Sequence, residues 1–450
     1  MKFEISKEYA EKLKEAIESN DDAFVVSSME EANPADITTV LYEFNAEDSK
    51  YVLNLLDKER GARIIADLEE DTQISFLKYF NSEEIAAYVE YLDSDDAVDL
   101  LNVLPISQRE EIIAVLEDAE TIANIKELLH YPEDVAGGLM AKELIKANKN
   151  WTVVQCIEEI RRQAENVEKI YSVYVVDGRN KLIGRVSLKR IILAEDNTKI
   201  EDIFEPTIVS VQTHVDQKEV VEVMKRYDLE AIPVVNVKGQ LVGRITIDDI
   251  VDVMQDLAEE ERQLMAGISE DVEETDSIWL ISRARLPWLL IGMVGGMLGA
   301  QFIGLFEQDI LAIPAVAFFI PLITATGGNV GIQSASIIVQ SLAAKSVFDS
   351  TLNQRMLKGL VVSTINGLVL GGFVFTINMA LGQELKLGMV VSFALFCVVL
   401  IASFMGTITP IILDKLKINP ALASGPFITT ANDLIGLLVY FSVAHYLYGL

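Results

Sequence analysis

Two cysteines, Cys156 and Cys397, are too few for a disulfide framework or a cysteine-based metal site, and the second lies inside an apolar run. Basic residues are also scarce: 37 Lys and Arg stand against 68 Asp and Glu, for a formal net charge of -31 over 450 residues. That imbalance argues against nucleic acid and anionic lipid as charge-matched partners, and leaves cations or plain solubility as its use. The stretch from Met1 to Leu13 lacks an apolar core region, so no cleavable signal peptide is expected and the N-terminus is expected in the cytosol. No grouping of nucleophile, base and phosphate-binding loop stands out, which argues against an enzyme.

Half of the residues are nonetheless hydrophobic, so acid and apolar must be segregated along the chain. From Asp276 onward eight bases face seven acids, which leaves 29 bases and 61 acids in the first 275 residues. Uncharged stretches run from Leu286 to Phe306, Ile310 to Ala344, Gly359 to Gln383 and Leu387 to Leu413, and a last one from Ile418 to Leu450 is interrupted only by Asp433. Each is long enough to cross a bilayer as a helix, which takes roughly 20 residues. With the N-terminal part inside, seven bases flank these spans on the cytoplasmic face and only Lys386 lies outside. The positive-inside rule is obeyed, and five spans put the C-terminus outside.

The second stretch is too long for one ordinary span and holds Gly327, Gly328 and Gly331 beside the amides Asn329 and Gln333. Those glycines are expected to loosen the helix and present carbonyls and amides to an ion, with close helix packing as the competing reading. Gly292, Gly295, Gly296 and Gly299 in the first span, at the spacing of a packing motif, read as packing. Asp433 is the most informative residue, because a carboxylate at membrane depth costs several kcal/mol unless it faces water or a cation. No Lys or Arg lies deep in any span to pair with it. Thr429, Thr430 and Asn432 surround it, and Gly425-Pro426 is expected to kink the same helix. A protonated structural Asp is the alternative. His445, beside Tyr446 and Tyr448, reads as interfacial rather than as a ligand.

Two repeats organise the acidic part. Leu56, Leu68, Phe80, Leu92, Leu104 and Leu116 recur every 12 residues, each preceded at three and four positions by an apolar pair such as Ile64/Ile65 or Leu100/Leu101. This predicts stacked short helices in an all-α superhelical array whose acidic face carries Asp95 and Asp99. Tyr174-Val-Val-Asp177 with Leu182-Ile-Gly-Arg-Val-Ser187 recurs 59 residues later as Pro233-Val-Val-Asn236 with Leu241-Val-Gly-Arg-Ile-Thr246. Strand, turn, strand and helix in tandem resemble a pair of CBS domains, which commonly bind adenine nucleotides. Thr246 and Asp249 match the ribose-holding positions in the second copy, whereas the first has Ser187 and Arg190. Beyond it, Asp248, Asp252 and Asp256 share one helix face, to be read either as solvated or as bridged by a cation.

This order, with Gly327-Gly-Asn-Val-Gly-Ile-Gln333 in the second span, Asn419-Pro-Ala-Leu-Ala-Ser-Gly-Pro-Phe-Ile-Thr-Thr-Ala-Asn-Asp433 in the last and Asp134-Val-Ala-Gly-Gly-Leu-Met140 in the linker, resembles the MgtE family of bacterial magnesium channels over essentially the whole chain. The resemblance implies a multidomain membrane protein: an all-α acidic superhelical N domain over 1–130, an α/β tandem CBS pair over 131–256, a plug helix over 257–282 and a five-helix α transmembrane domain over 283–450. It implies a homodimer in the cytoplasmic membrane, its pore lined by the second and fifth spans on the two-fold axis. Asp433 matches the acid that binds hydrated magnesium, with Thr430 and Asn432 beside it in the fifth span and Asn329 and Gln333 of the second span as further candidate metal-site residues. Asp95 and Asp99, Asp228, Asp248, Asp252, Asp256 and Glu259 match regions that bind regulatory magnesium, and ATP is expected at the CBS pair only if Thr246 and Asp249 suffice. Two departures stand out, Asn419 where the family usually has Asp and Ile332 where it often has Asn. Transport of another divalent cation such as cobalt or manganese, and a non-conducting ion or nucleotide sensor, are the rival readings.

Overall fold

The computed structural model describes residues 7–30, 32–164, 167, 169–270, 272, 276–343, 352–423 and 425–449. The chain divides into two compact units, Met1–Met254 and Gln255–Leu450.

Among the described residues the first unit opens with ten short helices: α1 (Lys7–Glu18), α2 (Asp22–Met29), α3 (Pro34–Leu41), α4 (Ala46–Leu55), α5 (Lys58–Ala66), α6 (Glu70–Leu77), α7 (Ser82–Val89), α8 (Ser94–Asn102), α9 (Ile106–Val115) and α10 (Ala119–Leu128). The 12-residue period is one helix plus one turn. In each repeat the apolar pair lies on the inner face, and the third apolar residue lies at or just beyond the helix end and closes the turn, so that Ile64, Ile65 and Leu68, or Leu100, Leu101 and Leu104, are buried together. Polar residues between them start the next helix. Asn45, Asp57 and Asn81 each accept a hydrogen bond from the backbone N–H three residues on, satisfying groups that a helix start otherwise leaves unpaired.

Two three-stranded sheets follow. The first is β1 (Ile145–Asn148), β2 (Val173–Val176) and β3 (Leu182–Val186); the second is β4 (Val211–Gln212), β5 (Ala231–Val235) and β6 (Leu241–Thr246). In both, the first pair is parallel, the second antiparallel, and the register slips at equivalent places, between Val175 and Val176 and between Val234 and Val235. The helices are α11 (Val153–Gln163), α12 (Leu188–Leu193), α13 (Ile200–Ile203) and α14 (Gln217–Tyr227). The two hairpin turns join the copies, with Leu182 N donating to Gly239 O at 3.1 Å and Leu241 N to Asn180 O at 3.0 Å. The linker peptide from Asp134 to Met140 runs along the second copy: Ala136 N donates to Val215 O and Gly137 N to Thr213 O. Gly138 is required there, because a Cβ would overlap the Pro132 carbonyl.

The helix α15 (Ile247–Ala266) starts directly at the last strand. A single plug helix over 257–282 was expected; instead α15 begins ten residues earlier and ends at Gly267, whose φ of +82° suits glycine and turns the chain. The first long apolar helix, α16 (Ile278–Leu305), starts at the N-cap Ser277.

The second unit then contains α17 (Glu307–Ala312), α18 (Ile320–Ala343), α19 (Leu352–Ala380), α20 (Leu385–Lys415) and α21 (Pro426–Tyr448). Among the described residues five segments are long and apolar enough to cross a membrane: Ile278–Leu305, Pro314–Leu342, Leu352–Ala380, Leu385–Lys415 and Pro420–Tyr448. The buried core lies where α18, α20 and α21 meet, while α16 and α19 leave Leu289, Met297, Leu368 and Phe373 exposed, as hydrocarbon-facing helices do.

Two expectations are corrected here. The glycines of the second span do not break it: α18 runs unbroken through Gly327, Gly328 and Gly331, and the irregular backbone lies upstream at Pro314–Phe319. With no water at membrane depth to take up freed backbone groups, the helix keeps its own hydrogen bonds and uses the missing side chains for close contact. Nor does Gly425-Pro426 kink the last helix. Pro426 occupies the first turn of α21, where its missing N–H costs nothing, and a short 3-10 turn at Pro420–Ala423 precedes it.

Candidate metal centres

Asp433 projects from α21 toward α18. A Cβ added at Gly328 would lie 3.5 Å from Asp433 Oδ1 and 3.1 Å from Thr429 Cγ2, so the glycine opens the space that the carboxylate and threonine use. Among the described residues Asp433 has no ion-pair or hydrogen-bond partner. Its neighbours divide by helix face. Thr430 points instead at Gly295 of α16, whose missing side chain accommodates it. Asn432 is buried against Gly331. Asn329 and Gln333, one turn apart on α18, are exposed within the single chain. His445 Nδ1 donates to Asp309 Oδ2 at 3.0 Å, an ion pair when the imidazole is protonated, near the far end of α21.

At the near end of α21, within the same unit, the end of α15 is tied down. A Cβ at Gly425 would stand 3.0 Å from the Met265 carbonyl oxygen. The Gln263 amide brackets Val272, donating to its carbonyl at 3.2 Å and accepting from its N–H at 3.1 Å. Ser269 N donates to Ala284 O at 3.0 Å, and Arg283 pairs with Glu270 at 2.9 Å. The connecting helix therefore ends in a turn held by the first and last spans.

The second centre lies in the first unit, where α8 faces the start of α15. Asp93 holds the N-cap position of α8 but does not cap it, unlike Asp57 in α5. Its carboxylate is drawn to Arg244 of β6, at 3.5 Å. Arg244 is buried, also donates to Lys169 O at 3.4 Å, and lies 5.4 Å from the Tyr171 ring centre. Oxygens of Asp93, Asp95 and Glu143 lie within 4.8 Å of one another, and Glu143 accepts from Ser94 N at 3.1 Å and Ser94 Oγ at 2.8 Å. Burial, and then the charges of Asp96, Asp249, Asp93 and Glu143, push the Asp95 carboxyl well above the usual carboxylate range. Asp96 and Asp99 are exposed at the surface of α8, yet the protein packed around them, and then Asp249 and Asp93 for the first and Asp96 and Glu133 for the second, push each carboxyl up to about 7. Asp249 is raised for the same first reason, although it accepts from Thr246 Oγ1 at 2.6 Å and Thr246 N at 3.0 Å. Acids crowded to this degree around one buried guanidinium lack positive charge, and their oxygens are of the kind that could hold a divalent cation.

Of the expected sensor residues, Asp95 and Asp99 are brought together with Asp248 and Asp249. Asp248 is exposed and 4.0 Å from Lys169. Asp228 is exposed at the left-handed C-cap of α14 and stands outside the cluster. Asp252 and Asp256 are exposed on α15, and Glu259 pairs with Arg262 at 2.5 Å. Asp93 and Asp96 belong to the acidic run 93–96 that the sequence places on the outer face of the array, but they and Glu143 are not among the residues that the resemblance selects. Asp93 carries a faint signal, an acid at a cap position; Glu143 carries none, because only folding brings it to α8.

The family described as a divalent cation transporter matches residues 320–443, the MgtE intracellular N domain matches 32–134, and the CBS domain matches 134–197 and 200–256. The magnesium transporter MgtE of Thermus thermophilus is 33% identical over 446 residues, covering 97% of both chains. That of Bacillus subtilis is 30% identical over 418 residues, covering 93% of this chain and 92% of its own. The chain belongs to the MgtE family of transporters. It is accordingly a multi-pass membrane protein of a non-enzymatic family. Its first part is similar to the cytosolic domain of the Mg2+ channel MgtE solved in complex with ATP, at 34% identity and a TM-score of 0.52, covering 54% of this chain and 99% of that one. The soluble part of a magnesium transporter is similar at 30% identity and a TM-score of 0.51.

The departures from the MgtE pattern have local explanations. Asn419 Oδ1 accepts from Ala421 N at 2.9 Å, so it caps the turn before α21. Ile332 stands partly exposed on α18. Arg190 pairs with Glu205 at 3.1 Å and donates to Ile203 O at 3.0 Å, so the first CBS copy offers no acid where the second offers Asp249.

Proposed function

We propose that this chain is a homodimeric channel for hydrated Mg2+, closed by Mg2+ bound among the acids of the N domain, CBS pair and connecting helix. The observation that carries the reading is Asp433, a carboxylate on a membrane helix with no partner in its own chain among the described residues. Magnesium dehydrates reluctantly, so two symmetry-related Asp433 carboxylates would hold it through its water shell. Exposure of Asn329 and Gln333 on α18 supports a partner or pathway on that face. With the N-terminus in the cytosol and the C-terminus outside, the membrane potential drives uptake at about 2.3 kcal/mol per charge per 100 mV.

Closure rests on charge. When cytosolic Mg2+ is high, cations neutralise the acids around Asp95 and Asp99 and those along α15; when it falls, the acids repel and the connecting helices separate. The tie between the end of α15 and Gly425 supports a route from that helix to the pore. A nucleotide at the CBS pair would meet Thr246 and Asp249 in one copy and Arg190 in the other, which supports one ATP site at most. The test is Mg2+ flux into proteoliposomes for the unmodified chain and Asp433→Ala, with and without internal Mg2+, and with Co2+ and Mn2+ as competitors. Flux lost in a folded Asp433→Ala dimer is expected; flux equal to the unmodified chain removes the pore assignment, and equal flux of all three ions replaces magnesium selectivity with general divalent transport.

A further inference from the structure

Asn432 is 1% exposed, and among the described residues neither its amide nitrogen nor its amide oxygen has a hydrogen-bond partner. Burial within one chain means that lipid, solvent and a partner subunit are all kept from it. Its amide rests on α18 at Gly331, where a Cβ would overlap Asn432 Nδ2, and Ile428 closes the site one turn before it. On the other side of Gly331, Gly406 of α20 approaches so closely that its own Cβ would overlap the Gly331 carbonyl. Three helices are thus in near backbone contact around one unsatisfied amide.

Buried amides almost always find partners, and one that does not disfavours the packing that encloses it. Neither amide atom has surface open to solvent in this packing. The next residue on α21 is Asp433, the proposed ion-binding acid. We infer that Asn432 sets the conformational balance of the pore: the close packing of α18, α20 and α21 is destabilised by its orphaned amide, and movement of α21 away from Gly331 hydrates the amide. The inference rests on the reading of α18 and α21 as pore helices. The amide therefore favours the arrangement in which water reaches Asn432 and Asp433 together, and an apolar residue of the same size would hold the helices shut.

The experiment compares Asn432→Leu, which keeps the number of side-chain heavy atoms, and Asn432→Ala with the unmodified full-length protein, by thermal melting in detergent and by Mg2+ flux into proteoliposomes lacking internal Mg2+. Asn432→Leu is expected to melt higher and conduct about five- to ten-fold less, the shift that relief of one orphaned amide corresponds to. If leucine prevents folding, Asn432→Ala decides, with reduced flux expected and no loss of thermal stability. A variant that melts lower with unchanged flux overturns the inference, since the amide is then an ordinary part of the packing. Asp433→Ala, measured alongside, separates the two failures: if it conducts like the unmodified chain the pore reading itself is wrong, whereas normal flux in the Asn432 variants alone removes only this inference.

Discussion

At position 93 the helical repeat supplies an aspartate at the position where Asp57 caps α5, yet here the carboxylate turns to the buried Arg244. Removing one member of an enclosed pair leaves the other uncompensated. Arg244→Gln is therefore expected to lower the melting temperature of the full-length protein in the absence of Mg2+, and to recover more on Mg2+ addition than the unmodified chain does. Equal Mg2+ responses would show that the guanidinium and the cation do not serve the same acids. The raised carboxyls give a second outcome. Asp96 and Asp99, pushed up to about 7, bind more protons folded than unfolded between about pH 4 and 7, so their interface weakens as pH rises through that window. The sign is opposite to that of an ordinary salt-bridged carboxylate. Hydrogen exchange over α8 in Mg2+-free buffer should quicken from pH 5 to pH 8 beyond its intrinsic pH dependence, and Mg2+ should suppress that excess; its absence would mean the acids are not crowded in solution. At Asp433, replacement by Asn keeps an oxygen but not the charge, so the variant should fold normally and lose discrimination between Mg2+ and monovalent cations, read as flux ratios.

At the scale of elements, periodicity carried the reading well where one face repeats. The 12-residue apolar triplets of the N domain and the 59-residue duplication of the CBS pair both describe what the helices and sheets do, because each repeat buries the same positions against its neighbour. Glycine was harder to read. A glycine that loosens a helix and one that admits a neighbour look identical in a sequence, and the difference lies in what stands opposite. Gly406 meets the backbone of Gly331, whereas Gly296 has nothing within 4 Å. Gly406→Ala is expected to destabilise the protein by roughly 1–3 kcal/mol through forced separation of α18 and α20, and Gly296→Ala to be neutral. Thermal melting of the two side by side checks this, and equal effects would show that α18 and α20 do not approach as closely as described. The connecting helix makes the same point: its acids are visible as a pattern, but its end is set by Gly267 and by the Gln263 clamp on Val272.

For the whole molecule, charge is the dominant physical fact. Acids exceed bases by 61 to 29 over the first 275 residues, and such an excess resists compaction unless cations bind where acids converge. Millimolar Mg2+ should protect the full-length protein from proteolysis between α8 and the end of α15 more than sodium chloride of equal ionic strength does, because a bridging ion acts directly on close acids that salt screens weakly. Identical protection by both salts would reduce the acidic unit to a solvated surface. Removal of residues 1–130 takes away Asp93, Asp95 and Asp99, and should leave a chain that transports Mg2+ but closes less completely as internal Mg2+ rises, measured as residual flux. The sequence by itself determined the division into an acidic and an apolar part, the two repeats, the five spans and the singular acid at Asp433, because all of these are patterns of composition along a line. The tertiary structure decided that Glu143 joins Asp93 and Asp95, that the second span stays unbroken, and that Asn432 is sealed without a partner. Those outcomes depend on which surfaces meet, and contacts between residues distant along the chain are set by packing and desolvation rather than by local spacing.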